Sequence, residues 1–169
     1  MMTTLKQELN DTFQELISTA NDEELHVLSS MLRGLNDKKE QKYATYLSAL
    51  TQIQTRFLDN GDYEVVLPIQ PLINNPLQMV HGGITATLLD TAMGSMINRI
   101  LPEDKAAVTA EMNVHYIKPG VGSNLKCVAH LAHKGNSLCV TEAKVYDDRE
   151  KLVALATGTF AVINRPHVK

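Results

Sequence analysis

Hydrophobic residues recur at helical spacing through the first fifty positions of the chain. Between Leu5 and Ile17 they stand three or four residues apart, which predicts an amphipathic helix. Two more helices are indicated, one by a start signal at Asn21 or Asp22 with a stop near Gly34, and one by the run EQKYATYLSALTQ. Residues 1–50 are therefore predicted to form a helical extension.

From about residue 51 the pattern becomes that of strands around one long helix. The run YEVVLPI (63–69) predicts a strand after an Asn-Gly turn, and a long apolar helix is predicted over residues 82–99. Four more predicted strands complete the chain: AVTAEMNVHYIK, NLKCVAHLAHK, LCVTEAKVYD and LVALATGTFAVI. Strict alternation in the first of these four places Val108 on one face with Met112, Val114 and Tyr116, and Thr109 on the other.

This order of elements predicts an α+β domain over residues 51–169. One apolar helix beside a single antiparallel sheet packs well if the sheet curls around it. A sheet covered on only one side also leaves a face or an edge unprotected. We therefore expect at least a dimer.

Composition and charge exclude several classes of protein. The 169 residues are 44% hydrophobic and 21% charged, with a net charge of -3, which is not the balance of a dedicated nucleic-acid binder. The longest apolar stretch, from Ile84 to Leu101, is interrupted by charged and amide side chains, so no membrane span is expected.

The N-terminal sequence has no apolar core typical of an export signal, and the two cysteines, Cys127 and Cys139, are not spaced as metal ligands. These features favour a reducing, cytoplasmic location. The histidines likewise show no metal-site spacing, so no metal is expected; apart from His81 they are His26, His115, His130, His133 and His167.

Asp90 is a charged residue inside the apolar helix, in the run VHGGITATLLD. It belongs to a narrow polar stripe that also contains Gly83, Thr87, Gly94 and Asn98. That stripe either faces solvent or lines a cleft at a subunit contact, where the carboxylate would be available for base or nucleophilic chemistry.

The residues before this helix, His81-Gly82-Gly83, have two interpretations. Glycines at a helix start let a ligand approach the backbone, and the free N–H groups there can hold a developing oxyanion. The simpler interpretation is a helix cap with a surface histidine. No Ser-His-Asp triad and no G-x-S-x-G elbow accompany them.

A longer pattern connects these residues to a known family. Asn75 completes the spacing N-x5-HGG-x6-D, and the strand VTAEMNVHYIKP follows. Together they resemble the hotdog-fold acyl-CoA thioesterases of the phenylacetate-pathway (PaaI-like) kind. The resemblance covers roughly residues 52–164 and extends to the later run HKGNSLCVTEAKVYD.

The resemblance implies a role for each matching residue. Asp90 would act as nucleophile or general base, and the backbone N–H of Gly82 would polarise the thioester carbonyl. His81 and Asn75 would orient the thioester, the water or the loop around them. Thr109 falls near the family's Ser or Thr that reaches the site from the partner subunit.

The resemblance also implies an acyl-CoA substrate, with no separate cofactor because CoA is part of that substrate, and a homodimer or homotetramer with sites at the subunit interface. Turn residues are expected to bind the CoA moiety: Gly83, Lys118 and Pro119, and the turn of Lys134, Gly135, Asn136 and Ser137. Hairpin turns favour these residue types for structural reasons as well. Asn136 departs from the family, which commonly has a second basic residue there.

Two other functions are compatible with the fold. An acyl-CoA-sensing regulator also carries helices before a hotdog domain, but residues 1–50 contain five Lys/Arg against eight Asp/Glu, and a DNA reader needs the opposite balance. A hotdog dehydratase or isomerase is the other alternative. Its relatives carry a catalytic His and carboxylate in a different helix motif.

Overall fold

The computed structural model describes residues 2–166, in two compact units that divide after Leu50. The first unit contains α1 (Met2–Thr19), α2 (Asp22–Lys39) and α3 (Tyr46–Thr51). Asn21 begins α2 through a capping box, in which its side chain accepts a hydrogen bond from the Glu24 N–H and the Glu24 side chain accepts one from the Asn21 N–H. The predicted start of this helix is thus confirmed.

The predicted end of α2 is wrong. The helix continues through Gly34 to Lys39, because this glycine serves close packing and does not terminate the helix. A Cβ atom at position 34 would lie 2.6 Å from the carbonyl oxygen of Ala49, so only glycine lets the chain near α3 approach this closely. The third helix is also shorter than predicted, since it begins only at Tyr46, after the Thr45 hydroxyl accepts a hydrogen bond from the Ser48 N–H.

The second unit is one antiparallel sheet of six strands with a single long helix. The strands are β1 (Gln54–Phe57), β2 (Tyr63–Pro68), β3 (Lys105–Tyr116), β4 (Asn124–Lys134), β5 (Leu138–Asp147) and β6 (Leu152–Asn164), and the helix is α4 (Gly82–Ile100). Their order in the sheet is β1-β2-β4-β5-β6-β3, so β1 and β3 form the two edges. This curved sheet with a long helix confirms the predicted α+β domain and is the hotdog fold that the family resemblance implied.

The short edge strand β1 was missed by the sequence analysis. All four of its residues are exposed, so it lacks the alternation that marks a half-buried strand. It is held by antiparallel pairing with β2, and the Arg56 guanidinium adds an ion pair to Glu64 at 2.6 Å.

The core lies between α4 and the inner face of the sheet. Leu89, Met93 and Ile97 are fully buried on α4, and Phe160 of β6 packs beside them. A Cβ atom at Gly158 would lie 2.9 Å from the Phe160 ring and 3.1 Å from the Met93 methyl group. Glycine at this position therefore lets the helix lie directly against the strand.

A β-bulge at Ala110 changes which residues of β3 face the helix. The pairing with β6 shifts between Thr109 and Glu111, so strict alternation fails at this point. Thr109 faces α4, whereas Val108 is 47% exposed. The predicted grouping of Val108 with Met112 on one face is therefore wrong. The extra residue at the bulge makes the residues that precede it point to the opposite face of the sheet from the one that strict alternation predicts.

Candidate active site

The N-terminus of α4 is capped by His81. Its Nδ1 accepts a hydrogen bond from the Gly83 N–H at 2.9 Å, and its own backbone N–H donates to the carbonyl of Ile73. An imidazole nitrogen that accepts carries no proton, so a neutral His81 has its proton on Nε2. The Gly83 N–H, proposed from the resemblance to contact CoA, is already used by this cap.

The backbone N–H of Gly82 differs from that of its neighbour. Within residues 2–166 it donates to no other group, as is usual for the first residue of a helix. It lies at the positive end of the dipole of a 19-residue helix. An unpaired donor in this position is suited to hold a developing negative charge on a substrate oxygen.

Tyr116, at the end of β3, covers Gly82 and was missed by the sequence analysis. Its hydroxyl donates to the Gly82 carbonyl at 3.0 Å, and its ring lies 3.6 Å from where a Cβ atom of residue 82 would be. The only signal for it in the sequence was its place directly before the Ile117-Lys118-Pro119 turn.

A cleft of about 290 Å³ opens at this helix start. Four residues singled out from the sequence line it together with Tyr116: Asn75, Gly82, Lys118 and Pro119. Its remaining wall is largely apolar, as a site for an acyl or pantetheine group requires.

Asn75 organises the loop that leads into α4. Its Oδ1 accepts hydrogen bonds from the Leu77 N–H at 2.9 Å and the Met79 N–H at 3.3 Å. This side chain stabilises a tight turn in which Gln78 has a φ of 58°. Asn75 thus shapes one wall of the cleft.

Asp90 and Thr109 form a second polar cluster further along α4. The Thr109 hydroxyl donates to the Asp90 carboxylate at 2.7 Å. This hydrogen bond joins the bulged part of β3 to α4. Asp90 is half-buried, and Thr109 bonds only one of its two carboxylate oxygens. One turn beyond Gly94, the Asn98 amide hydrogen-bonds both the N–H and the carbonyl of Ala107 and so ties the same edge strand to α4.

The two clusters do not meet within one chain. Gly82 and Asp90 lie eight positions apart on one helix, which is about 12 Å along the axis. The structure brings Asn75, His81 and Gly82 together with Lys118 and Pro119 at the helix start. It brings Thr109 to Asp90 and leaves a gap between the two groups.

The turn from Lys134 to Ser137 lies at the opposite end of α4. The Lys134 ammonium donates to the carbonyl of Ile100 at 2.9 Å and so caps the C-terminus of the helix. The Gly135 N–H donates to Leu138, and the Ser137 carbonyl accepts from Val162, whereas Asn136 is exposed. In a single chain, this turn is therefore remote from the cleft.

Other candidate chemistry is limited. Both cysteines are buried, and burial raises the pKa of the Cys127 thiol well above its usual value. Among residues 2–166 no three His, Cys, Asp or Glu side chains cluster as a metal site would require. His167 lies outside the described residues. No helix within the described chain is long and apolar enough to cross a membrane.

Comparison with known proteins agrees with this geometry. The family model described as the thioesterase superfamily matches residues 77–154, which include α4 and most of the sheet. The BH2602 protein of Bacillus halodurans, whose crystal structure contains CoA, is 55% identical; the match covers 90% of this chain and 99% of that one, with a TM-score of 0.84.

Two further proteins extend the comparison. The medium/long-chain acyl-CoA thioesterase YigI of Escherichia coli strain K12 is 28% identical over 108 residues, covering 55% of this chain and 70% of YigI. The Escherichia coli PaaI protein, from the phenylacetic acid degradation operon, shares the fold at 22% identity and a TM-score of 0.66, covering 79% of this chain and 96% of that one. The chain therefore belongs to the thioesterase superfamily of hotdog-fold enzymes, the class of thioester hydrolases that its own residues had indicated.

Proposed function

We propose that this protein hydrolyses acyl-CoA thioesters to a free acid and CoA. The observation that carries the proposal is the pairing of two features on one helix: an unpaired Gly82 N–H at its start and an Asp90 carboxylate oriented by Thr109. A thioester carbonyl is already a good electrophile. One oxyanion donor and one carboxylate are therefore sufficient chemistry, without a triad.

The carbonyl oxygen of the substrate accepts a hydrogen bond from the Gly82 N–H, which stabilises the negative charge that develops there. In the general-base route, Asp90 takes a proton from water as the water oxygen attacks the carbonyl carbon. In the nucleophilic route, an Asp90 oxygen attacks that carbon and water later opens the mixed anhydride. In both routes the C–S bond breaks and CoA leaves as the thiolate, which then takes up a proton.

A single turnover in ¹⁸O-labelled water can identify the nucleophilic route. The general-base route places one ¹⁸O atom in the product acid. The nucleophilic route, when water attacks the Asp90 carboxyl carbon, transfers an unlabelled Asp90 oxygen to the first product. A first-turnover acid without ¹⁸O therefore identifies Asp90 as the nucleophile.

Distance supports a site built from two copies of the chain. The reaction needs the carbonyl oxygen about 3 Å from the Gly82 N–H and the carbonyl carbon about 3–3.5 Å from the attacking atom. Gly82 and Asp90 of one helix are about 12 Å apart along its axis, which is too far for both to act on one carbonyl group. Gly82 of one copy therefore acts with Asp90 of a second copy. The exposed edge strand β3, which carries Thr109, offers the surface for that pairing.

The two halves of the site can be removed separately. Gly82→Pro removes the N–H donor at a position that accepts proline: proline is favoured at the first helical position, and His81 already has the extended φ of -59° and ψ of 135° that a following proline requires. Asp90→Asn deletes the carboxylate. Each pure variant should lose thiol release from acyl-CoA by orders of magnitude. Gly82→Ala keeps the N–H and controls for the added side chain, whose Cβ atom would lie 3.6 Å from the Tyr116 ring.

Mixing the two variants tests the shared site. After joint unfolding and refolding, random pairing makes half of the dimers mixed, and each mixed dimer has one intact site, so about a quarter of native activity should return. A mixture as inactive as its components would show that both groups act within one chain. Full activity in pure Asp90→Asn would reject Asp90 as the catalytic carboxylate, and absence of thiol release by native protein would reject the proposed function itself.

A further inference from the structure

Helix α2 carries a row of leucines along one face. The row consists of four residues spaced three, four and three positions apart: Leu25, Leu28, Leu32 and Leu35. Within residues 2–166 Leu28 is half-buried and the other three are between 38% and 45% exposed. Apolar rows with this spacing are typical of a helix that packs against another helix.

The packing of α2 within its own unit uses a different face. Gly34 is the buried residue of this helix, at the point where it meets the carbonyl of Ala49. Successive residues are about 100° apart around a helix, so Gly34 lies about 130° from the middle of the leucine row. The contact with α3 therefore leaves the leucine row exposed.

Charge is distributed unevenly along the same helix. Its first turn contains Asp22, Glu23 and Glu24, and its last turn contains Lys38 and Lys39. This distribution stabilises the dipole of α2 itself, and it also determines how two copies of the helix can pair. Parallel pairing sets acidic residues beside acidic residues, whereas antiparallel pairing sets the acidic turn of each copy beside the basic turn of the other.

The antiparallel arrangement also fits the leucine row. The row is symmetric about residue 30, which is the midpoint between its first and last leucines. Leu25 of one copy therefore meets Leu35 of the other, and Leu28 meets Leu32. Charge and apolar spacing thus select the same orientation of the two helices.

Two ion pairs would flank this contact. Glu24 and Lys38 lie on the same side of the leucine row, and in the antiparallel pair the Glu24 carboxylate of each copy faces Lys38 of the other. The capping box engages Oε2 of Glu24, so Oε1 is the acceptor for this ion pair. The Lys38 ammonium lies 5.6 Å from the centroid of the Tyr46 ring, and its three donors allow a hydrogen bond in addition to that contact.

Helix α1 lacks this match of charge and apolar spacing. It also exposes leucines, at Leu5, Leu9 and Leu16. Antiparallel pairing of two α1 helices would place Glu8 of one copy beside Glu15 of the other, where like charges repel. α1 therefore provides a control for α2.

We propose that α2 is a self-association surface whose leucine row is covered by α2 of a second copy of this chain, in antiparallel orientation. The surface lies in the helical extension and shares no residue with the edge strand β3, which the proposed function pairs between copies. The inference therefore goes beyond that function and does not depend on hydrolysis.

Cysteine cross-linking of the full chain tests the pairing and its direction. Leu25→Cys and Leu35→Cys proteins are produced separately and also together in one cell, and then oxidised. These two positions meet in the antiparallel pair, whereas the two copies of position 25 lie about 15 Å apart along the axis, beyond the reach of a disulfide. Linked dimers should therefore form on joint production and not from either variant alone. Cys127 and Cys139 are buried and should not take part.

The matched control is the pair Leu5→Cys and Leu16→Cys, two exposed positions that would meet in an equivalent antiparallel pair of α1 helices. Its yield gives the level of chance collision, and the α2 pair should exceed that level at least about tenfold. Adding Leu32→Glu to both α2 cysteine proteins places two carboxylates in the middle of the leucine row. This should lower the yield about tenfold or more, whereas Leu9→Glu should leave it unchanged.

Three results would overturn the inference. Cross-linking of either α2 variant alone, at the level of the joint production, would show parallel pairing. A yield for α2 no higher than that for α1 would show that α2 of a second copy does not cover the leucine row. An equal yield with and without Leu32→Glu would show that the leucines do not hold the pair together. Because no step of this experiment measures thiol release, its outcome is separate from that of the proposed function.

Discussion

Replacing Asp90 by asparagine removes one negative charge while keeping the side chain's size and its place on α4. The carboxamide oxygen can still accept the hydrogen bond that Thr109 donates to Asp90 at 2.7 Å. The link between helix and edge strand therefore survives, as a neutral bond in place of a charge-assisted one. Because the fold is preserved, a change in rate reports the chemistry of the carboxylate.

The expected loss follows from what a carboxamide cannot do. It takes no proton from water and does not attack a carbonyl, so the contribution of a positioned base is lost, about 10²- to 10⁴-fold in kcat/KM. Thr109→Val is a milder change, since it leaves the carboxylate and removes only its hydrogen bond. A hydrogen bond to a charged group contributes about 1.5–3 kcal/mol. Thr109→Val should therefore lower kcat/KM about 10- to 150-fold.

The assay is release of free thiol from a panel of aliphatic, aryl and hydroxylated acyl-CoAs, with both single variants and the double variant. If Thr109 acts through Asp90, then Thr109→Val should cost little further in the Asp90→Asn background. Two results would refute the reasoning: Asp90→Asn within about threefold of native, or a Thr109 effect of the same size in both backgrounds.

Tyr116→Phe keeps the ring over Gly82 but removes the hydrogen bond to the Gly82 carbonyl, so kcat should fall several-fold with KM little changed. The control is Tyr46→Phe in the helical unit, and an equal fall in kcat for that variant would contradict the positioning role of Tyr116. Asn98→Ala removes two hydrogen bonds between α4 and the edge strand and one to Gly94 within α4, so it should lower the free energy of unfolding by about 1–3 kcal/mol in urea titrations. An unchanged midpoint would show that these bonds do not contribute to stability. Hydrogen bonds from Ser123 lower the pKa of Asp148, so its stabilising contribution is present above the ordinary carboxyl pKa of about 4 and is lost as pH falls through the folded-state value. Native protein should therefore lose more stability than Asp148→Asn between pH 6 and about pH 3, and parallel pH profiles would contradict that linkage.

Most of the sheet could be predicted from the sequence because its signals are local. β4 and β5 run over the predicted residues 124–134 and 138–147, since alternating apolar positions end at Gly-Asn and charged turns. The predicted helix 82–99 is α4, whose dense apolar face is buried against the sheet. Periodicity reports burial, and these elements are buried on one side.

The errors lie where burial or regular spacing fails. β1 is exposed at all four residues and exists only through its pairing with β2, which no local pattern encodes. The bulge at Ala110 inserts one residue into β3, and a two-residue period cannot reveal it in advance. Gly34 was interpreted as a stop because glycine often ends helices, whereas here its role depends on a carbonyl from α3.

The candidate site divides in the same way. The resemblance of the motif to a known family was sufficient to single out Asn75, His81, Gly82 and Asp90, because one loop and one helix carry the whole motif. Tyr116 was missed because its contact with Gly82 joins residues 34 positions apart.

The sequence by itself determined most of the elements, the helix that carries both Gly82 and Asp90, and the family. Only the tertiary structure decided that Thr109 reaches Asp90, that Gly82 and Asp90 are too far apart to act on one carbonyl within a chain, and that Lys134 caps a helix. The physical reason is that helices and strands are encoded by neighbours a few residues apart. A site depends instead on distances between groups that only packing brings together.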